Sequence, residues 1–317
     1  MSSNWKLGLA FSLLTALSWG LLPLALKEVL AVMDPITITW FRFSLSAVMA
    51  LAWFGFRSGP ALRRLLSGAS LPWTVLAVFG LTGNYVLYIW GLHFTNPGAA
   101  QTLIQFAPLL LLVSSVVYLG EKFQRVQWMG VLGFTVGMFL FFHRRLTSLV
   151  PTDTDYLLGA VSLFFAAVIW TGYGLAQKRL TGEHHAKDIL LIICLGGSLL
   201  LWPVAEPMQV LALNAVELAL LLFCGLNTIV AYGAFGLAMT HWEASRVSAV
   251  IPLAPLLTLF FTWLFNTALD AGIAAEPLGW LGWVGALLVV GGSALAALPR
   301  AVASDQDAAD SATNLRR

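Results

Sequence analysis

The chain has 317 residues, of which 59% are hydrophobic and only 10% charged, with a formal net charge of +2. That composition excludes an ordinary soluble globular protein, in which about a quarter of residues are charged. Apolar runs recur along the chain, and each supplies the roughly 20 residues that cross a bilayer core at about 1.5 Å rise per residue.

In chain order, spans are predicted at about 8–27, 35–56, 72–94, 97–119, 126–143, 156–178, 188–205, 216–239, 243–266 and 278–298. Charges, prolines and glycines mark the breaks: Lys27-Glu28 with Asp34-Pro35, Arg57 to Pro72, Asn96-Pro97, Glu121-Lys122 to Arg125, and Arg144 to Asp155. The later ones are Gly182 to Asp188, Glu206-Pro207, His241-Trp242-Glu243, and Asp270 to Pro277. The first run loosely resembles a signal peptide, with Lys6 and Ala16-Leu17-Ser18, but it continues through Ala25 and has an internal partner later, so it reads as a span. Residues 300–317, with Asp305, Asp307 and Asp310, are expected to form a disordered cytoplasmic tail. The two cysteines, Cys194 and Cys224, lie within spans without metal-ligand spacing and read as packing residues.

Basic residues stay preferentially on the cytoplasmic side of short loops. With the N-terminus inside, 13 Lys and Arg fall at cytoplasmic ends, and only Lys27, Arg144 and Arg145 fall outside. Both termini are therefore expected in the cytoplasm.

The chain also repeats itself. Residues 97–110 (PGAAQTLIQFAPLL) align without a gap to 244–257 (ASRVSAVIPLAPLL), keeping Ile, Ala-Pro and Leu-Leu in register. Trp19 pairs with Trp170, Gly80 with Gly225, Gly91 with Gly236, and Trp128, Gly130 and Gly133 with Trp280, Gly282 and Gly285. The second and seventh spans match poorly. Five spans per copy is odd, so the copies enter the membrane from opposite sides. The expected fold is all-α and polytopic: ten transmembrane helices as two inverted five-helix repeats, 1–150 and 151–299. Inverted halves can exchange conformations and so open a central path alternately to either side.

This plan resembles the EamA family of the drug/metabolite transporter superfamily over nearly the whole chain, up to about Pro299. The resemblance rests on Ser18-Trp19-Gly20, Pro35 with Arg42-Phe43, the Ala107-Pro108 helix closing on Leu119-Gly120-Glu121, and Trp128 with its glycines. It implies a bacterial inner-membrane permease, usually an exporter of small metabolites or amino acids, with a central cavity lined by both halves. The second copy departs from the pattern: it runs Phe265-Asn266-Thr267-Ala268 where the first has Leu119-Gly120-Glu121.

A candidate cavity follows from helical spacing. On the fourth span Gly98, Gln101, Gln105, Pro108, Leu112 and Ser115 share one face; the ninth answers with Ser245, Ser248, Pro252, Pro255, Leu259 and Thr262. Polar stripes avoid hydrocarbon, and Pro108, Pro252 and Pro255 are expected to bend their helices. A second face carries Gly80, Asn84, Tyr88, Gly91 and Thr95 on the third span and Tyr232 on the eighth. Candidate substrate contacts are thus Trp19, Arg42, Asn84, Tyr88, Gln101, Gln105, Trp170, Tyr173, Tyr232 and Ser248. Interhelical bonding competes as a reading of the amides, and packing as a reading of the glycines and aromatic residues. Arg42 lies about seven residues into the second span; it either meets a substrate carboxylate, snorkels outward or pairs with the acidic cluster at Asp34. Lys27 is expected to snorkel.

Every Asp and Glu lies near a span end or in a loop. The expected function is a carrier of small organic solutes such as amino acids, probed against two alternatives. A sugar-phosphate or nucleotide-sugar antiporter needs at least two cations in the cavity. A membrane enzyme or scaffold needs a metal cluster, an activated nucleophile or paired carboxylates, and His184-His185 in a loop supplies none of these. No cofactor, metal or nucleic acid is expected; the expected partners are the lipid bilayer and a small-molecule substrate.

Overall fold

The computed structural model describes residues 5–54, 59–107, 109–110, 114, 125–144, 154–241, 250–275 and 278–296. The described residues are helical apart from short connections. In order they form α1 (Trp5–Val29), α2 (Pro35–Phe54), α3 (Gly59–Leu65), α4 (Leu71–Phe94), α5 (Pro97–Leu103) and α6 (Arg125–Phe141). The second half adds α7 (Thr154–Leu180), α8 (Ala186–Leu201), α9 (Ala215–His241), α10 (Ala254–Leu269) and α11 (Trp280–Ala296). Six of these are long and apolar enough to cross a membrane, and α6 and α11 are shorter apolar helices. Phe139, Leu132, Leu199 and Leu287 stand on the outer surface, as hydrocarbon allows and water does not. The short helix α3 lies within the break predicted between the second and third spans, and the expected tail at 300–317 lies outside the described residues.

Local chemistry fixes where helices begin. Asp34 caps α2: its Oδ1 accepts from the backbone N–H groups of Ile36 (2.8 Å) and Thr37 (3.0 Å), and Pro35 takes the first helical position. Asn96 caps α5 through the Ala99 N–H at 2.9 Å, again with a proline following. Asn214 accepts from Val216 and Glu217 at the start of α9, while Glu217 Oε2 accepts the Asn214 N–H at 2.8 Å, a reciprocal capping box.

Helix pairing reveals the inversion. Along α4 and α7, Gly80 meets Tyr173, Asn84 meets Ala166, and Gly91 meets Gly159, so the two run antiparallel. Along α1 and α9, Phe11 meets His241, Thr15 meets Ala231 and Ser18 meets Asn227, also antiparallel. Lys27 near the end of α1 reaches carbonyls at the end of α4, so α1 and α4 point the same way. Hence α9, the third span of the second half, runs opposite to α4, the third span of the first. The halves are inverted copies of one five-helix unit, packed first on third across the boundary.

The fifth spans pair with each other. At Gly137 an added Cβ would lie 2.6 Å from the Val289 backbone nitrogen and 2.8 Å from the Gly285 carbonyl. Backbones in contact leave no side chain to yield, so this seam needs glycine. Gly291, on the same α11, would meet nothing within 4 Å. Gly137→Ala is expected to lower stability by about 1–3 kcal/mol, and Gly291→Ala to change it little; thermal unfolding in detergent measures both, and equal effects would refute the seam.

Candidate functional site

Arg42 projects from the middle of α2 and is 2% exposed. Its Nε donates to the Cys224 carbonyl of α9 at 3.1 Å, and Nη2 to the Thr228 hydroxyl at 3.2 Å. The guanidinium lies 4.3 Å from the centre of the Tyr85 ring, a cation–π contact. A guanidinium has five N–H donors, so three find no protein acceptor among the described residues. No carboxylate pairs with Arg42 among the described residues, and Asp34 is taken up in capping α2. The outward snorkelling and the Asp34 pairing considered from sequence both give way: the side chain turns inward, because α9 offers it a carbonyl and a hydroxyl one helical turn apart.

Around this cation stands a shell of rings from both halves. Tyr232 touches Trp19 (5.5 Å between centroids), Tyr85 (6.1 Å) and Tyr173 (6.3 Å), and Tyr173 meets Trp170 at 6.0 Å. Tyr88 lies within electrostatic reach of Arg42 and packs beside the apolar core at the Lys27 end. Trp90, on the same helix as Tyr88, faces outward.

Helix α1 contributes a different feature. Pro23 lies inside it, and proline has no N–H to give the carbonyl four residues earlier, that of Trp19. Gln101 of α5 supplies the missing donor: its Nε2 bonds the Trp19 carbonyl. The flanking carbonyls also receive side chains, Ser18 from Asn227 Nδ2 (2.8 Å) and Gly20 from Thr258 Oγ1 (2.7 Å). One turn of α1 is therefore tied to α5, α9 and α10 together.

Helix α5 breaks after Leu103. The Gln105 and Ala107 N–H groups bond carbonyls three residues back, ahead of Pro108. In the second half Ile251–Leu253, containing Pro252, form a tight three-residue turn, and α10 begins at Ala254 with Pro255 in its first turn. Both helices lose regularity at matched positions, as a proline that denies a donor dictates. Pro252 and Pro255 are buried at this break; Pro108 lies outside the described residues. Gln105 is buried beside the break, and its Oε1 has no hydrogen-bond partner among the described residues.

Polar and aromatic side chains from the first, second, third, sixth and eighth spans thus meet, and Trp19 links them to Gln101 on the interrupted fourth span; discontinuous helices beside such a cluster suit binding and moving a solute. The EamA-like transporter family model matches this chain twice, over residues 6–143 and 157–298. The chain belongs to the EamA-like transporter family. It is 37% identical over 299 residues to the uncharacterized inner membrane transporter YhbE of Escherichia coli K12, covering 94% of this chain and 93% of that protein. An uncharacterized transporter of Haemophilus influenzae is 35% identical over 299 residues, with 94% and 97% covered. The aromatic amino acid exporter YddG of Ancylobacter novellus is 25% identical over 296 residues, with 89% and 94% covered. A solved protein structure shares the fold at a TM-score of 0.63 and 22% identity, covering 91% of this chain and 96% of that one. This EamA-like chain is a multi-pass inner-membrane transporter.

Within that framework the sequence-derived residues separate. Arg42, Trp19, Tyr173, Tyr232 and Trp170 belong to one connected cluster. Asn84 does not: its Nδ2 donates to the Ala166 carbonyl at 2.9 Å, in the α4–α7 seam with Gly80 and Gly91. Gln101 binds backbone, as described. Lys27, expected to snorkel, places its three donors on the carbonyls of Leu92, His93 and Thr95 at 2.7–2.9 Å and closes the end of α4. Ser248 lies outside the described residues. Tyr85, Asn227 and Thr228 escaped the sequence reading; Tyr85 adjoins Asn84, but one helical step, about 100°, turns it from the seam to the centre.

The pairing of Pro23 with Gln101 is testable. Gln101→Leu is expected to cost about 1 kcal/mol by leaving the Trp19 carbonyl without a donor. In a Pro23→Ala background, where the backbone regains its N–H, the same change should cost little. Additive losses in thermal unfolding of the two single variants and the double would disprove the pairing.

Proposed function

We propose that the protein exports small organic solutes bearing a carboxylate, amino acids foremost, by alternating access between its two inverted halves. The single observation that carries this reading is the Arg42 guanidinium: fully buried, charged, and with three N–H groups open among the described residues. A buried cation is costly without a counter-charge, and a planar guanidinium matches a carboxylate with two parallel bonds. The surrounding tyrosines and tryptophans suit an apolar or aromatic side chain, as the name of the aromatic amino acid exporter related to this chain also favours. A doubly charged phosphate wants a second cation; Lys27 is nearest along α1 to the cluster and already gives three hydrogen bonds to α4. The distribution of basic residues supports termini in the cytoplasm, and the name of the related aromatic amino acid exporter favours outward movement.

Purified protein in liposomes loaded with labelled amino acids is expected to give saturable efflux. Arg42→Met should reduce that flux at least tenfold, yet leave thermal stability equal or higher, because an apolar replacement relieves an uncompensated buried charge. Unchanged KM and rate in Arg42→Met would remove the basis of the proposal.

A further inference from the structure

The Tyr85 side chain raises a question the carboxylate does not answer. Tyr85 is 5% exposed, yet its hydroxyl makes no hydrogen bond among the described residues. It lies near the hydroxyls of Thr228 and Tyr232 but closes a bond of normal geometry with neither. The Thr228 oxygen accepts from Arg42 and its proton points to the Cys224 carbonyl at 3.3 Å, so only its second lone pair is unused, and Tyr85 closes no bond with it. Nor is the ring free to swing toward another partner: it is held by Arg42 at 4.3 Å and stacked on Phe43 at 4.8 Å with 24° between planes. Buried hydroxyls are nearly always satisfied. One fixed beside an open cation, with its own hydrogen bond unmade, is placed to complete that bond with whatever the cation holds.

We propose that Tyr85 is a specificity-determining residue that reads the polar substituent next to the substrate carboxylate, so that the site selects α-amino and α-hydroxy acids over plain carboxylates. This rests on the reading above that Arg42 takes the carboxylate. The guanidinium carbon lies 4.3 Å from the Tyr85 ring centre, so a carboxylate on the open N–H groups of Arg42 would sit beside that ring, with its α-substituent, as proposed, at the Tyr85 hydroxyl. An α-amino or α-hydroxyl group there exchanges a hydrogen bond with it. A plain acid brings only a methylene and leaves the hydroxyl unpaired. Sites built around a polar partner discriminate strongly against analogues that lack it.

The test compares two pairs of probes on the full-length protein in lipid nanodiscs: L-phenylalanine with 3-phenylpropanoate, and L-leucine with 4-methylpentanoate. Affinity is read from ligand-dependent shifts in thermal unfolding and from competition against labelled amino acid in counterflow. The unsubstituted protein is expected to prefer at least one α-amino acid over its deaminated partner by about tenfold or more. Tyr85→Phe keeps the ring and its contacts and removes only the hydroxyl, so the preference should fall below about threefold. Without ligand, its melting temperature should equal or exceed that of the unsubstituted protein, since a buried unpaired oxygen has gone. A purely structural tyrosine would give the opposite pattern, a lower melting temperature with the preference intact, and that result overturns the assignment. So does an unsubstituted protein that binds both members of each pair equally well. A protein that responds to none of the four probes overturns the carboxylate reading at Arg42, and with it this one.

Discussion

Inside a bilayer no water is available to a backbone carbonyl that has lost its helical partner, so the protein itself must supply the donor. Much of the polar chemistry of this chain answers that demand. Gln101 serves the Trp19 carbonyl that Pro23 orphans, and Lys27 serves the last carbonyls of α4. Other side chains add a second donor to carbonyls still inside their helices: Arg42 to Cys224, Asn84 to Ala166, and the Ser162 hydroxyl to Leu87. Each of these bonds crosses from one helix to another, so satisfying the backbone also fixes which helices touch and at what height. Polar residues in such seams are structural even though their composition resembles that of a binding site.

The same demand explains where the two halves stop being alike. The scaffold is shared: α4 packs on α7 as α1 packs on α9, and α6 and α11 meet glycine to backbone. The wiring is not. Pro23 in α1 corresponds to Gly174 in α7 when Trp19 is set on Trp170, so only the first copy has an orphaned carbonyl there. Gln101, in turn, aligns with Ser248, whose shorter side chain has no matching duty imposed by a proline. The poorly matching second and seventh spans put one guanidinium, not two, at the centre. Under the proposed mechanism, similar scaffolds let the halves trade conformations, and unequal wiring lets the proposed site hold an asymmetric solute.

At the centre the balance tips from structure to function. Arg42, the Tyr85 hydroxyl and Gln105 Oε1 retain unused hydrogen-bonding capacity among the described residues, as do Asn227 Oδ1, Thr82 Oγ1, Gln177 Oε1 and Trp40 Nε1. In a low-dielectric interior that capacity is expensive to maintain. What sets Arg42 and the Tyr85 hydroxyl apart is that a buried cation and an unbonded hydroxyl stand side by side, within a shell of rings contributed by both halves.

The sequence by itself determined what depends on neighbours along the chain. Span lengths follow from apolar runs, helix starts from Asp34-Pro35 and Asn96-Pro97, and the inversion from an odd number of spans per copy; each is set within a few residues or by counting. Even the orphaned carbonyl of Trp19 is legible, because Pro23 removes a donor four residues away. Which side chain would answer it was not, since Gln101 lies 82 residues further on. Only the tertiary structure decided that Arg42 turns inward to α9, across 182 and 186 residues, rather than outward to Asp34. Likewise it decided that Asn84 faces a seam while adjacent Tyr85 faces the centre. Helical periodicity groups residues onto faces, but the rotation of each helix about its axis is set by what packs against it, and that information is distributed over the whole fold.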